Sequence, residues 1–127
     1  MSALWSFLSD SPSLSATDCQ LIPLPSLGVL SLVGPESAKF LQGQATTDFR
    51  EVEKGRVLPG AVCSLKGRVL FSFIANPKLT DIDLVIPNDQ LTDALTHLKK
   101  YAIFSKTQLS DAREQRALLG IQGTQAT

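Results

Sequence analysis

The period of the apolar residues changes at Pro87, and that change limits the fold more than any other feature of the chain. Before it, Ile82, Leu84 and Ile86 alternate with Asp81, Asp83 and Val85, the repeat of an antiparallel strand with one face buried. After it, Leu91, Ala94, Leu95 and Leu98 fall at i, i+3, i+4 and i+7, along one side of a helix. A half-buried strand running into an amphipathic helix calls for a layer of helix packed on a layer of sheet. Asn88 is placed to cap the helix start, and Lys99 and Lys100 suit its negative end.

The other segments extend this pattern. Residues 19–24 and 27–33 read as strands joined across Pro25-Ser26, the second with so few polar positions that it belongs in the sheet centre, covered on both faces. Gly34-Pro35-Glu36 opens a short helix carrying Ala38, Phe40 and Leu41, which Gly43 ends. Residues 49–55 are charged and read as a turn. Residues 57–65 and 68–74 predict a hairpin with Lys66-Gly67 at its tip, and Pro59-Gly60 predicts a bulge or the strand start. Asn76-Pro77-Lys78 reads as a turn, 103–109 as a strand and 110–115 as a polar connection. A last strand begins at Arg116. Leu4, Trp5, Phe7 and Leu8 form an apolar knot, expected as a short helical turn on the body. The expected fold is α+β: a mostly antiparallel sheet with two main helices on one face, ferredoxin-like in order.

Charge and cysteine content exclude several function classes. Lys plus Arg and Asp plus Glu both number 12, so no global field draws in DNA or an anionic membrane. Cys19 and Cys63 are isolated and His97 is the lone histidine, which builds neither a disulfide framework nor a metal centre. With no apolar run of membrane-span length and no basic n-region at the start, a cytoplasmic protein is expected. His97 lies beside the apolar stripe of its helix and reads as a solvated surface residue.

No G-x-G-x-x-G, Walker A, G-x-S-x-G or H-E-x-x-H pattern occurs, and no residues are predicted to be catalytic or to bind metal. The segment from Lys66 to Phe73 overlaps an RNA-recognition signature at Lys66-Gly67 and Phe73. It fails where stacking aromatics are needed, at Arg68 and Leu70. Direct RNA binding through this sheet is not expected.

The polar loop after the first helix is the candidate site. Gln42 and Gln44 supply amide donors and acceptors, Asp48 accepts paired hydrogen bonds, and Thr46 and Thr47 adapt. Such groups suit a heteroaromatic edge that both donates and accepts. Lys66 and Arg68, on the neighbouring hairpin, suit a carboxylate tail. The same residues also read as a surface turn tied by Asp48 and the threonines, with two solvated cations beside it. Both readings stand on the residues alone.

The wording of four blocks resembles a known family. Gly34-Pro35-Glu36-Ser37-Ala38-Lys39-Phe40-Leu41-Gln42-Gly43-Gln44-Ala45-Thr46-Thr47-Asp48 resembles the opening motif of the YgfZ-type folate-binding proteins, relatives of the aminomethyltransferase T-protein of glycine cleavage. Gly60-Ala61-Val62-Cys63-Ser64-Leu65-Lys66-Gly67-Arg68 resembles the family's Lys-Gly-Arg hairpin. Leu98-Lys99-Lys100-Tyr101-Ala102-Ile103-Phe104-Ser105-Lys106 and Leu118-Leu119-Gly120-Ile121-Gln122-Gly123 follow in the same order. The resemblance runs from about Cys19 onward. The family's lysine-glycine-cysteine-tyrosine-x-glycine-glutamine segment does not occur, and Leu27 stands where some members carry tryptophan.

The resemblance implies half of a T-protein-like, folate-binding domain. It implies tetrahydrofolate or a related folate, held at Gln42, Gln44, Thr46, Asp48, Lys66 and Arg68. It further implies roles in tRNA modification and iron–sulfur enzyme maintenance, with protein partners from those pathways and no catalysis of its own. The chain is expected to be an amino-terminal portion: a segment at 1–18, a folate-binding-type subdomain at 19–115, and at 116–127 the first strand of a second subdomain. Left unpartnered, that strand would favour a homodimer by edge pairing. The alternative is an interaction or scaffold domain without a ligand. An aminomethyl-transferring enzyme would need an acidic folate motif that the chain does not show.

Overall fold

A computed structural model describes residues 19–124. The apolar knot at Leu4 to Leu8 and the rest of 1–18 lie outside the described residues, as do 125–127. Strand β1 (Gln20–Pro23) leads into β2 (Leu27–Val33), then helices α1 (Ser37–Gln42) and α2 (Phe49–Glu53). Strands β3 (Leu58–Cys63), β4 (Val69–Lys78) and β5 (Asp81–Pro87) follow, then α3 (Asn88–Tyr101), β6 (Gln108–Asp111) and β7 (Leu119–Gln122). Five strands form one antiparallel sheet in the order β3-β4-β5-β2-β6. The α+β class and the antiparallel sheet are as the sequence predicts.

Alternation decides what each strand buries. Ile82, Leu84 and Ile86 on β5, Leu30 and Leu32 on β2, and Phe71, Phe73 and Ala75 on β4 point to one face. The helices cover that face with Phe40, Leu41, Phe49, Val52, Leu91, Ala94 and Leu98, all buried. Filling one such position, at roughly 1.5–3 kcal/mol for a large apolar side chain, far outweighs the weak propensity of six-residue α1 and five-residue α2. β2 is central as expected: Val29 and Ser31, on its other face, are also buried.

Several local expectations need correction. Residues 49–55 hold α2, because the Asp48 carboxylate accepts the Arg50 N–H at 3.1 Å and Phe49 and Val52 are buried on one side. Asn88 is the first residue of α3, and its side-chain amide binds the Pro25 carbonyl instead of capping. Asn76, Pro77 and Lys78 continue β4, paired with Asp83, Ile82 and Asp81. Pro77 is tolerated because β3 has already ended opposite Ala75, so no ladder partner awaits the missing N–H. The turn is Leu79-Thr80. At Pro59-Gly60 the strand-start reading holds and the bulge does not: β3 begins at Leu58, Pro59 and Gly60 pair regularly with Ile74 and Phe73, and the register shift falls between Val62 and Cys63. The strand expected at 103–109 is β6, which starts five residues later, at Gln108, and ends two residues later, at Asp111.

The final strand has a partner. β7 pairs antiparallel with β1, Leu21 opposite Ile121 and Ile22 opposite Gly120, in a separate two-stranded sheet. The strand expected to stand unpartnered is therefore paired, along one of its edges, within the chain.

Candidate functional site

The loop after α1 is held against β3 residue by residue. Gly43 and Gln44 close the helix with N–H bonds to Phe40 and Leu41. Ala45 makes a bridge to Val62, and Thr46 exchanges two bonds with Ala61, N–H to carbonyl at 2.9 Å and Ala61 N–H to Thr46 Oγ1 at 3.0 Å. Thr47 Oγ1 donates to the Pro59 carbonyl at 2.8 Å. Gln42 Oε1 accepts the Phe49 N–H at 2.6 Å. Asp48 both caps α2 and grips the Arg50 guanidinium, Nε to Oδ1 and Nη2 to Oδ2, each at 2.9 Å. The hydrogen bond from Arg50 holds its carboxyl below the usual aspartate range. Among the six candidates, Gln42, Thr46 and Asp48 thus have their acceptors committed to the fold.

Ser64 builds the hairpin tip. Its N–H donates to the Arg68 carbonyl at 2.8 Å, its carbonyl accepts from Gly67, and its hydroxyl accepts from the Lys66 and Arg68 N–H groups. Gly67 carries the positive φ that closes the turn, 77°. Lys66 and Arg68 are exposed and make no ion pair among the described residues.

Gln44 and Lys66 come together. They line a cleft of about 570 Å³ between the end of α1, the hairpin tip and α3, whose walls also include Cys63, Ser64, His97 and Tyr101. That volume falls within the range of small-molecule sites. His97 is not the solvated residue expected. It is half-buried, its ring edge-on to Phe71 at 6.3 Å and 5.1 Å from the ring of Tyr101. Gln42 lines a different cleft of about 360 Å³, with Lys39, Phe49 and Arg50. Thr46, Asp48 and Arg68 line neither. Sequence reasoning passed over Tyr101 and His97; their i, i+4 spacing on α3 was the available signal.

The cleft offers an amide, an ammonium, two hydroxyls and an aromatic face, enough to hold a planar, partly anionic ligand. Among the described residues no group of three His, Cys, Asp or Glu could hold a metal ion, and no helix is long and apolar enough to cross a membrane.

The chain is similar to known proteins in sequence and in fold. The chain is 33% identical over 117 residues to the tRNA-modifying protein YgfZ of Colwellia psychrerythraea, covering 91% of this chain and 36% of that protein. It is 35% identical over 106 residues to the YgfZ of Hamiltonella defensa, covering 84% and 31%. Against the YgfZ of Photorhabdus laumondii it is 33% identical over 118 residues, covering 92% and 36%. The chain is related to the YgfZ proteins. It spans about a third of the length of these curated relatives. No protein-family model matches it. Among solved structures, the glycine cleavage system aminomethyltransferase T of Bartonella henselae superposes with a TM-score of 0.75 at 20% identity, over 86% of this chain and 30% of that one. The YgfZ relationship rests on sequence, and the T-protein likeness shows the fold.

Proposed function

We infer that this YgfZ-related chain contributes one wall of a folate site in a cytoplasmic protein serving tRNA modification and iron–sulfur enzyme maintenance, without catalysis of its own. The observation that carries the reading is the convergence of Gln44 and Lys66 on one cleft in a chain a third identical to tRNA-modifying YgfZ proteins. The residues present fit a folate in part. Gln44 suits the donor and acceptor edge of a pterin, the Tyr101 ring suits its face, and Lys66, with Arg68 beside it, suits the glutamate carboxylates. Asp48, Thr46 and Gln42 are spent on the fold and act by holding the loop. When bound, tetrahydrofolate supplies a one-carbon carrier; this chain's residues bind and orient it.

The test is calorimetric titration of tetrahydrofolate into the chain. Binding weakened about tenfold by Gln44→Ala, as expected for one lost hydrogen-bonding group in a desolvated site, supports the reading. Affinity unchanged in both Gln44→Ala and Lys66→Ala overturns the residue assignment. A second reading, an interaction domain whose polar loop only shapes a turn, is favoured by the committed acceptors of Gln42, Thr46 and Asp48. A Gln44→Ala variant that loses stability as Gln42→Ala is expected to, with Gln44 serving the loop instead of a ligand, selects it.

A further inference from the structure

The role in tRNA modification inferred above does not say whether this chain touches RNA, and the carboxyl end of α3 carries the chemistry to do so. Phe71 and Phe73 are buried in the core, so the sheet itself offers no stacking platform. The exposed rings lie elsewhere. Phe104 is 97% exposed, Ile103 74% and Tyr101 55%. Their loop is firmly held. Ser105 N–H donates to Ala102 and Thr107 N–H to Ser105, while Glu36 takes the Lys106 N–H on its carboxylate at 2.8 Å and returns its own N–H to the Lys106 carbonyl. Ile103 and Phe104, adjacent on a tied loop, present an exposed apolar patch of the kind that partners use.

Charge concentrates at the same place. Among the described residues, Arg50, Arg56, Arg113 and Arg116 are paired with carboxylates, whereas Lys99, Lys100 and Lys106 are not, nor are Lys66 and Arg68 at the adjacent hairpin tip. Lys39 and Lys78 are the other cations without an ion pair among the described residues. Beside the loop, one oxygen of the Glu36 carboxylate accepts the Lys106 N–H. Lys99 and Lys100 also serve the helix's negative end, but Lys106 and Phe104 lie beyond the helix and have no such role. Between α3 and β6 a groove of about 410 Å³, lined by Lys99, Ala102, Ile103, Thr107, Gln108 and Ser110, sets an apolar wall beside a cation and hydroxyls.

We propose that this end of the molecule is a contact surface for unpaired RNA. Phe104 stacks on a base, Lys99, Lys100 and Lys106 neutralise phosphates, and the groove beside Lys99 takes one nucleoside. Rings standing free of the surface can stack only on bases that are not already paired, which selects loops or single strands over duplex. The hydroxyl and amide groups of the groove favour RNA over a lipid surface, which would need an unbroken apolar face.

The proposal builds on the inferred role, and its test is separable from the folate test. Fluorescence anisotropy of a labelled oligouridine is followed with the 127-residue chain across potassium chloride concentrations. Three neutralised phosphates predict a log–log salt slope of about −2. The triple change Lys99→Gln, Lys100→Gln, Lys106→Gln is expected to weaken binding roughly tenfold and to flatten that slope, with Arg at the same positions restoring both. Phe104→Ala is expected to weaken binding about tenfold with the slope unchanged, the mark of lost stacking. Tetrahydrofolate affinity unchanged in these variants, beside lost RNA binding, supports the surface. No binding of oligouridine overturns the proposal, as does binding that persists in every variant whatever the folate result. Tighter binding to phosphatidylglycerol vesicles than to oligouridine, lost in the same variants, also overturns it.

Discussion

A methyl group on Gly60 would lie 1.8 Å from Thr47 Oγ1 and 2.7 Å from Cζ of Phe73. The polar loop and the β3–β4 hairpin are therefore packed together at a point where only a hydrogen fits. Neither neighbour can retreat, because Phe73 is buried in the core and Thr47 is bonded to the Pro59 carbonyl. Gly60→Ala is expected to destabilise the chain by about 1–3 kcal/mol, read from the urea midpoint. In a cycle with Thr47→Ala, the two costs should add to more than the double variant shows. Simple additivity would mean that loop and hairpin yield independently.

Among the described residues, Arg116 supplies the one partner of a buried carboxylate. Its Nε lies 3.2 Å from Oδ2 of Asp83, which is 6% exposed, and Oδ1 of Asp83 has no hydrogen-bond partner among those residues. Arg116→Met strands that charge and should cost about 1–3 kcal/mol, at the lower end of buried pairs because Arg116 is partly exposed. Adding Asp83→Asn should recover most of the loss in thermal denaturation. A double variant no more stable than Arg116→Met alone would show that Arg116 acts through packing.

Leu79 sits in the two-residue turn between β4 and β5 with φ at 54°, fully exposed. The left-handed region costs a branched residue roughly 1 kcal/mol that asparagine largely avoids. Leu79→Asn should raise stability by about 0.5–1 kcal/mol, with tetrahydrofolate affinity unmoved.

Gln42 and Gln44 are two residues apart but have opposite expected phenotypes. Gln42→Ala leaves the N–H of buried Phe49 unpaired and should cost about 1–2 kcal/mol with folate affinity unchanged. Gln44→Ala should alter stability by less than about 0.5 kcal/mol and reduce folate affinity. Paired calorimetry and urea titration of the two variants check this, and a reversed pattern would exchange their roles.

Three carboxyls are held below their usual range: Asp48 by the Arg50 hydrogen bond, Glu51 by Lys54 and then Arg56, and Asp111 by Arg113. A carboxylate depressed in the folded state contributes stability above its unfolded pKa, about 4, and loses it as pH falls through the folded value. Each of these side chains keeps about a third or more of its surface in water, so the effect is small and screened by salt. The urea midpoint should stay level from neutrality to about pH 5 and decline below pH 4, less steeply in half-molar salt. A midpoint that rises on acidification would contradict these assignments.

Much of the fold is legible in the chain because the signals are local. The switch of period at Pro87 predicts β5 and α3. Where local chemistry misleads, a neighbour has overruled it. Asn76-Pro77-Lys78 carries turn residues yet extends a strand, because β5 pairs with it while β3 has ended. The charged stretch at Phe49–Glu53 becomes helix because Asp48 caps it and the sheet receives Phe49 and Val52. At the candidate site, the sequence singles out a polar loop but cannot tell which of its polar groups remain free. Hydrogen bonds to β3 and to Phe49 are contacts between distant segments, and they leave Gln44 and Lys66 available.

Sequence alone determines what depends on a few neighbouring residues: strand and helix periods, the α+β class, the Gln-Gly-Gln loop and the Lys-Gly-Arg tip. Only the tertiary structure decides what depends on pairing across the chain. It gives β7 to β1, draws His97 and Tyr101 into the cleft with Gln44 and Lys66, and leaves Phe104 on a tied loop beside unpaired lysines. The physical reason is that periodicity names the face a residue takes on its own element. Which distant groups meet across that face, and which are left without partners, follows from packing of the whole chain.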